Sequence, residues 1–356
     1  MTTPRVLIAS FATENPYQRE LIDALRAQGV EVFTSQGWWC LTEYLGNRAN
    51  ILHLHWLHDF FALRTILTAA VGCALFALQL AVVRFSGGRI VWTVHNLKMH
   101  EPRYPKLDRL ATALTAKAAN RLLVHCHWAK QEVLRRLPAV NAQHVIVTPH
   151  ASYIGTYPNT SQRATARRSL GISERQTVFL FFGGVRPYKG VLELLDAFES
   201  VQMDDSVRLI IAGRPIDADF ARAIQDRAKT LENVILVLGF IADHEIQRYM
   251  NAADAVVLPY REIFTSGAAL LALSFGRAVV APRIGCMGEV LTPEGSFLYQ
   301  PDRAGALEEA LARALREQDR LAPMGRHNYE QARLLSWTGM AKATATAYQQ
   351  VMSTVP

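Results

Sequence analysis

Cysteine is scarce in this 356-residue chain: Cys40, Cys73, Cys126 and Cys286 stand far apart. Their spacing forms neither a metal-ligand pattern nor a disulfide framework, which excludes a small disulfide-stapled domain and a structural zinc site. Other absences narrow the field further. No Lys-Ser or Lys-Thr pair closes a glycine run, so there is no P-loop. The first apolar run is followed by S-F-A-T-E-N, without the spaced glycines of a dinucleotide fingerprint, which disfavours a nicotinamide oxidoreductase. No Lys/Arg-rich run carries interleaved aromatics, which disfavours nucleic acid as a partner. The first residues, M-T-T-P-R-V-L-I-A-S, read as a core strand and lack the apolar h-region of a signal peptide. Low-complexity segments are missing as well.

What is present is a globular composition, 50% hydrophobic and 19% charged, long enough for two domains. The net charge of +7 favours an anionic partner: nucleic acid, anionic lipid or a phosphorylated substrate, with nucleic acid the weakest. One segment is unusual. Residues 66–83, I-L-T-A-A-V-G-C-A-L-F-A-L-Q-L-A-V-V, are apolar on nearly every face. Three readings compete: a buried helix, a helix lying in a membrane surface, and a span. The runs on either side, 51–55 and 90–95, both read as core strands of one sheet, which argues against a span.

Short apolar runs alternate with helical patterns along the whole chain. Strands are predicted at 6–10, 51–55, 90–95, 122–125 and 145–148, and again at 178–182, 209–212, 235–238, 255–259 and 278–281. Continuous apolar runs separated by helices indicate parallel sheets buried on both faces, and two such sets indicate two doubly wound α/β domains. Residues 152–173, with Gly155, Pro158, Asn159, Thr160 and Ser161, read as an irregular linker. The chain closes with helical patterns at 306–316 and 340–352. Ligands of such sheets bind beyond the carboxyl ends of the strands, and two domains facing each other would form a cleft.

Residues 181–198, F-F-G-G-V-R-P-Y-K-G-V-L-E-L-L-D-A-F, carry the strongest local signal. A strand runs into Gly183 and Gly184, then Arg186, Lys189 and Gly190, then a helix with Val191, Leu194, Leu195, Phe198 and Val201 at helical spacing. Glycines permit close backbone approach, the helix N-terminus offers free amides, and two cations add fixed charge. Together they suit a phosphate or diphosphate.

Polar groups gather at other strand ends. H-L-H-W-L-H-D supplies His53, His55, Trp56, His58 and Asp59. Metal binding is one reading of its histidines and packing in the core is the other. Trp56 and Asp59 fall past the strand end, where a sugar could stack and hydrogen-bond. W-T-V-H-N-L-K-M-H-E supplies His95, Asn96, His100 and Glu101, with His95 and Glu101 as candidate proton acceptors. T-P-H-A-S-Y places His150 and Tyr153 where the chain leaves the first domain, either lining the cleft or holding the hinge. L-P-Y-R-E-I-F-T-S-G offers Tyr260, Arg261 and a helix start in which Thr265 or Ser266 is the N-cap and the amides of Ser266, Gly267 and Ala268 form a second anion site. A-P-R-I-G-C-M-G-E-V-L ends in Glu289, which either accepts from ribose hydroxyls or caps the helix that it opens.

These residues together resemble the bacterial nucleotide-sugar-dependent glycosyltransferases of GT-B fold. The resemblance covers nearly the whole chain: G-G-V-R-P-Y-K-G, then P-Y-R-E-I-F-T-S-G-A-A-L-L-A-L-S-F-G-R-A-V-V-A-P, then the terminal S-W…Y helix. Two features depart from the common retaining members. Ile263 and Leu271 stand where those carry a pair of glutamates, and Gly184 stands where they carry an arginine, with Arg186 two residues later. The motifs H-L-H-W, V-H-N-L-x-x-H-E, R-P-Y-K-G and S-G-x-x-L-L-A-L-S, and N-P-Y at Asn15–Tyr17, are instead similar to the group that includes the inverting β-mannosyltransferase of xanthan assembly.

The resemblance implies two doubly wound Rossmann-like domains facing a central cleft. Residues 1–155 would bind the acceptor, 156–339 the nucleotide sugar, and the helix 340–356 would pack back on the first domain. It implies a transferase using GDP-mannose and a polyprenyl-diphosphate-linked oligosaccharide at the cytoplasmic face of the inner membrane, without metal or other cofactor. Gly184, Arg186, Lys189, Tyr260, Thr265, Ser266, Gly267 and Glu289 would hold the donor. Asn15, Tyr17, Trp56, His150 and Tyr153 would line the acceptor side. The base would be Glu101 or His95, with Asp59 third. A retaining transferase using a UDP-sugar, a sugar-nucleotide epimerase of the same fold and a non-catalytic partner subunit are the rivals.

Overall fold

The computed structural model describes residues 3–11, 15–35, 37–61, 65–99, 103–201 and 205–353, with the Asp59 side chain outside that description. Glu101, a candidate base, also lies outside the described residues. The chain divides into two compact units, Met1–Ala151 with Ser336–Pro356, and Ser152–Leu335.

The first unit holds β1 (Arg5–Ala9), β2 (Glu31–Ser35), β3 (Ile51–Leu54), β4 (Arg89–Thr93), β5 (Arg121–Val124) and β6 (Val145–Val147). They form one sheet in the order β2-β1-β3-β4-β5-β6, parallel throughout. The second unit holds β7 (Thr177–Phe182), β8 (Val207–Ala212), β9 (Val234–Val237), β10 (Ala255–Val257), β11 (Ala278–Pro282) and β12 (Ser296–Tyr299). Their order is β12-β11-β10-β7-β8-β9, again all parallel. Helices cover the sheets, and the central strands are apolar without alternation because both faces are buried: Val178, Phe179, Leu180 and Phe181 are all at 0% exposure. Each such side chain contributes roughly 1.5–3 kcal/mol through burial.

Two strands were not anticipated. β2 (E-V-F-T-S) is interrupted by Glu31, Thr34 and Ser35, and β12 (S-F-L-Y) is four residues long and opens on Ser296, so neither carries the continuous apolar run that marks a strand in sequence. The stretch 152–173 is not wholly irregular either. It contains the helix Arg163–Ser169, clamped by the buried Arg167 guanidinium, which donates to the carbonyls of Ala252, Ser173, Glu174 and Gln176 and pairs with Asp254.

The unit boundary falls between Ala151 and Ser152, ahead of the expected position at 155. Hydrogen bonds explain the shift: the Ser152 amide donates to the Leu335 carbonyl (2.7 Å) and the Tyr153 amide to Ser274 Oγ (2.8 Å), so both residues belong to the second unit. The chain re-enters the first unit at Ser336, ahead of the expected 340, and Ser336 Oγ accepts from the Gly339 amide at the start of the helix Trp337–Ser353. That helix buries Met340, Ala341, Ala345, Tyr348 and Val351 in one core cluster with Tyr17, Leu21 and Leu25 of the helix Pro16–Ala27.

The apolar segment after β3 forms the helix Ile66–Phe85, long and apolar enough by length and composition to cross a membrane, with 39% of its most apolar stretch buried. Thr65 and Thr68 close its N-terminus as a reciprocal capping box. Its inner face packs on its own unit. Phe76 stacks on Phe60 at 4.8 Å, and Gln79 accepts from the Cys40 amide and donates to the Trp38 carbonyl.

Candidate functional site

In each sheet the strand order reverses beside the first strand of its unit, between β1 and β3 and between β7 and β10. Loops diverge at such a switch point and leave a crevice above the strand ends. The candidate residues collect at these two places.

In the second unit, the turn after β7 and the loop after β10 touch. Gly190 has φ +68°, and a Cβ there would overlap the Pro259 carbonyl oxygen. Gly213, after β8, has φ +153°, and its Cβ would overlap the Gly183 carbonyl. Backbone therefore sits on backbone, which only glycine allows. Gly184, by contrast, is exposed, and nothing lies within 4 Å of where its Cβ would be.

This packing fixes Lys189. Its ammonium lies 3.7 Å from the position of a Cβ on Gly183 and 5.4 Å from the ring centroid of Tyr260, a cation–π distance. Crowding and burial, with the Arg186 charge adding to them, push the ammonium down to about 8. Tyr260 is buried, and burial holds its phenol well above the ordinary value, partly offset by a hydrogen bond with Ser266. Ser266 caps the helix Gly267–Ser274, its Oγ accepting from the Ala269 amide at 3.2 Å. Of the two expected caps, Ser266 takes the role, and half-buried Thr265 precedes it. Arg186, Lys189, Tyr260 and Ser266 are thus brought together. Arg261 is turned to an exposed ion pair with Glu193.

The loop after β11 is tied to the same place: the Cys286 amide donates to the Phe264 carbonyl, and a Cβ on Gly285 (φ +54°) would overlap the Ile263 carbonyl. Glu289 is exposed in the first turn of the short helix Met287–Val290, whose N-cap position is Cys286. Tyr153 packs in this unit, its hydroxyl 3.2 Å from where a Cβ on Gly267 would lie.

In the first unit, rings converge at the ends of β3, β4, β5 and β6. Tyr17, 2% exposed, sits among His95 (ring centroids 4.9 Å apart), His125 (5.7 Å) and His150 (4.8 Å). His125 Nδ1–H donates to the Thr148 carbonyl at 2.8 Å, which leaves Nε2 to accept from the Tyr17 hydroxyl at 3.3 Å. His150 Nδ1–H donates to the Ala151 carbonyl at 2.7 Å. His55 Nδ1 and His95 Nε2 share a hydrogen bond of 3.0 Å. His53 is fully buried between Tyr348 and Thr93. His58 pairs with Asp108 and Asn96.

Burial dominates the protonation of this cluster. It holds His55 and His95 well below the ordinary imidazole value and pushes His53 and His150 down to about 3 and His125 to about 4. All five are therefore neutral near pH 7.

Asn15 and Tyr17 each carry a structural role as well. Asn15 Oδ1 caps the helix Pro16–Ala27 by accepting from the Tyr17 amide, and Tyr17 is the floor under the imidazoles. Asp59 lies in the short helical turn Leu57–Phe60. His125 was missed as a site residue. Its signal was a repeated one, a histidine just past an apolar parallel strand, at residues 55, 95, 125 and 150. Among the described residues, no group of three His, Cys, Asp or Glu side chains is placed to hold a metal ion.

Comparisons with known proteins agree with this architecture. Residues 176–317 match the family described as glycosyl transferases group 1. The GDP-mannose:glycolipid 4-beta-D-mannosyltransferase of Xanthomonas campestris pv. campestris is 30% identical over 337 residues, covering 90% of this chain and 86% of that protein. Among solved structures, sucrose-phosphate synthase from Thermosynechococcus elongatus superposes with a TM-score of 0.79 at 17% identity, over 99% of this chain and 100% of that one. Anabaena HepE, in a complex with UDP, superposes with a TM-score of 0.72 at 17% identity, over 99% and 98%. The two parallel sheets, the glycine-built turn after β7 and this identity over most of both chains place the protein: it belongs to the group 1 glycosyl transferases and is a glycosyltransferase of GT-B fold.

Proposed function

We propose that this enzyme transfers mannose from GDP-mannose, with inversion, to a polyprenyl-diphosphate-linked oligosaccharide at the cytoplasmic face of the inner membrane, in exopolysaccharide assembly. The observation that carries this reading is the 30% identity, over 90% of the chain, to an enzyme named for GDP-mannose and a glycolipid acceptor.

In this reading the second unit holds the donor. Lys189, Arg186 and the amides at Thr265, Ser266 and Gly267 face the diphosphate, with Gly184 leaving room for it and Tyr260 and Glu289 toward the nucleoside. As the bond between the anomeric carbon and phosphate oxygen breaks, charge grows on the departing GDP, and preformed cations and amides stabilise it. No metal or other cofactor enters the scheme. The first unit holds the acceptor, whose hydroxyl loses its proton to a base as it attacks from the opposite face. His95, neutral and stacked on Trp56, is the described candidate for that base. His150 and Trp56 lie in the same cluster and would touch the acceptor sugar, while Tyr153 holds the chain where it enters the second unit.

A thermal-shift panel of GDP-mannose, GDP, UDP, UDP-glucose and UDP-glucuronate tests the donor. Stabilisation confined to the guanosine compounds is expected. A response confined to the uridine compounds overturns the mannose assignment. The anomeric configuration of the product, read by NMR, tests inversion.

A further inference from the structure

We propose that the outward face of the helix Ile66–Phe85, with the adjoining helix Pro105–Ala118, seats in the headgroup region of an anionic phospholipid bilayer, the long helix lying parallel to the membrane plane. The inference rests on the lipid-linked acceptor proposed above and names the surface that meets the membrane.

The sequence left three readings of this helix, and its environment separates them. A buried helix would hide both faces, yet Leu67 is 72% exposed and Phe85 93%, and Val71 and Leu78 continue the same stripe at spacings of one or two turns. A span would have to release the inner face. That face is committed: Phe76 to Phe60, Gln79 to the Cys40 amide and Trp38 carbonyl, and Cys73, Leu80 and Val83 to the core. The helix also joins β3 and β4, which pair side by side in one sheet (Ile51 with Arg89), so its ends cannot be drawn to opposite sides of a bilayer. What remains is a helix anchored on one face and apolar on the other.

Charge identifies the occupant. Arg84 is the one charged residue of the long helix. The adjoining helix adds exposed Leu110 and Leu114 to the apolar surface, and exposed Lys106, Arg109 and Lys117 around it. Its single acidic residue, Asp108, is buried and paired with His58. Trp38, half exposed and tied to the middle of the long helix through its carbonyl, supplies an indole of the kind that prefers the lipid–water boundary. An apolar stripe rimmed by cations, with tryptophan beside it, complements an anionic interface.

The test is co-sedimentation of the full chain with vesicles of phosphatidylglycerol and phosphatidylethanolamine, against vesicles of phosphatidylcholine alone. Binding to the anionic vesicles, weakened by high salt, is expected. Lys106→Glu with Arg109→Glu, and separately Val71→Glu with Leu78→Glu, should each lower that binding by about tenfold or more. Thermal unfolding of each variant checks its fold, and the purely exposed Lys106/Arg109 pair carries the test if the apolar pair misfolds. Equal binding to both vesicle types, or variants that bind as the parent does, overturns the proposal. So does a dimer, seen by light scattering, that the same substitutions dissociate, because a second copy would then cover this face. Stabilisation by GDP is read on the same variants. In the variants, vesicle binding lost with the GDP response intact supports the proposal; in the parent, a GDP response without vesicle binding sinks this proposal alone, and vesicle binding without a GDP response sinks the donor assignment alone.

Discussion

The indole of Trp56 lies flat on the imidazole of His95, ring centroids 4.2 Å apart and planes 6° from parallel. Trp56 reaches this position with φ +41°, a left-handed conformation that costs a bulky residue about 1–2 kcal/mol. The strain turns the chain at the end of β3 and sets an aromatic platform beside a neutral imidazole.

His95→Gln should therefore lower kcat for transfer by roughly 10²–10⁴-fold while leaving GDP affinity unchanged, since a general base acts in the transition state. Because burial holds His95 well below the ordinary imidazole value, the acid limb of kcat in the parent should fall at a pH lower than free histidine would give. A kcat within a few-fold of the parent would move the base elsewhere, and Glu101→Gln is then the variant to measure.

Lys189→Ala should weaken GDP binding by about 10- to 100-fold, the loss of one charge-assisted contact of about 1.5–3 kcal/mol, as read by calorimetry. The ammonium sits at about 8 in the free protein, so it is charged below that pH and neutral above it. GDP affinity should accordingly decline between about pH 7 and about pH 9, and Lys189→Arg should remove that decline. Unchanged affinity in Lys189→Ala would separate the turn from the diphosphate.

The glycines of the turn should part company. Gly190→Ala and Gly213→Ala force a side chain onto a carbonyl oxygen at positive φ, and each should cost about 1–3 kcal/mol or more in chemical unfolding. Gly184→Ala meets open space and should leave stability unchanged. If GDP binding nevertheless falls in Gly184→Ala, the ligand approaches the backbone there. Full stability in all three would contradict the packing of β7, β8 and β10 loops.

His53 and Tyr348 share a hydrogen bond of 2.6 Å in a fully buried pair. Tyr348→Phe should cost about 1–3 kcal/mol by leaving a buried nitrogen unsatisfied. Acid should act through the same cluster. His53, His125 and His150 are held at about 3, 4 and 3, whereas unfolded histidine titrates near 6.5, so the unfolded chain binds more protons between those values. Stability is complete above about pH 6.5 and declines as the pH falls through that window. A thermal midpoint flat from pH 7 to about pH 4 would contradict the burial of these rings.

Much of this was legible in the sequence. Apolar runs marked ten of the twelve strands in chain order, because a strand buried on both faces must be continuously apolar. The turn after β7 was legible because glycine and lysine at fixed spacing act through local backbone geometry. β2 and β12 were not, since polar residues break their short apolar runs. Asn15 and Tyr17 drew attention as lining residues. Whether such polar groups face a ligand, cap a helix or floor a cluster depends on packing, and the helix cap and the imidazole cluster claimed them.

By itself, then, the sequence determined the order of ten strands, two parallel sheets and one glycine-built turn, since these follow from periodicity and φ preference over a few neighbouring residues. Only the tertiary structure decided which histidines meet, where Tyr153 belongs and what anchors the long apolar helix. Those outcomes depend on contacts between residues far apart in the chain, as between His53 and Tyr348, 295 positions away. A local pattern can mark each partner, but burial and hydrogen bonding in the folded chain select the pair.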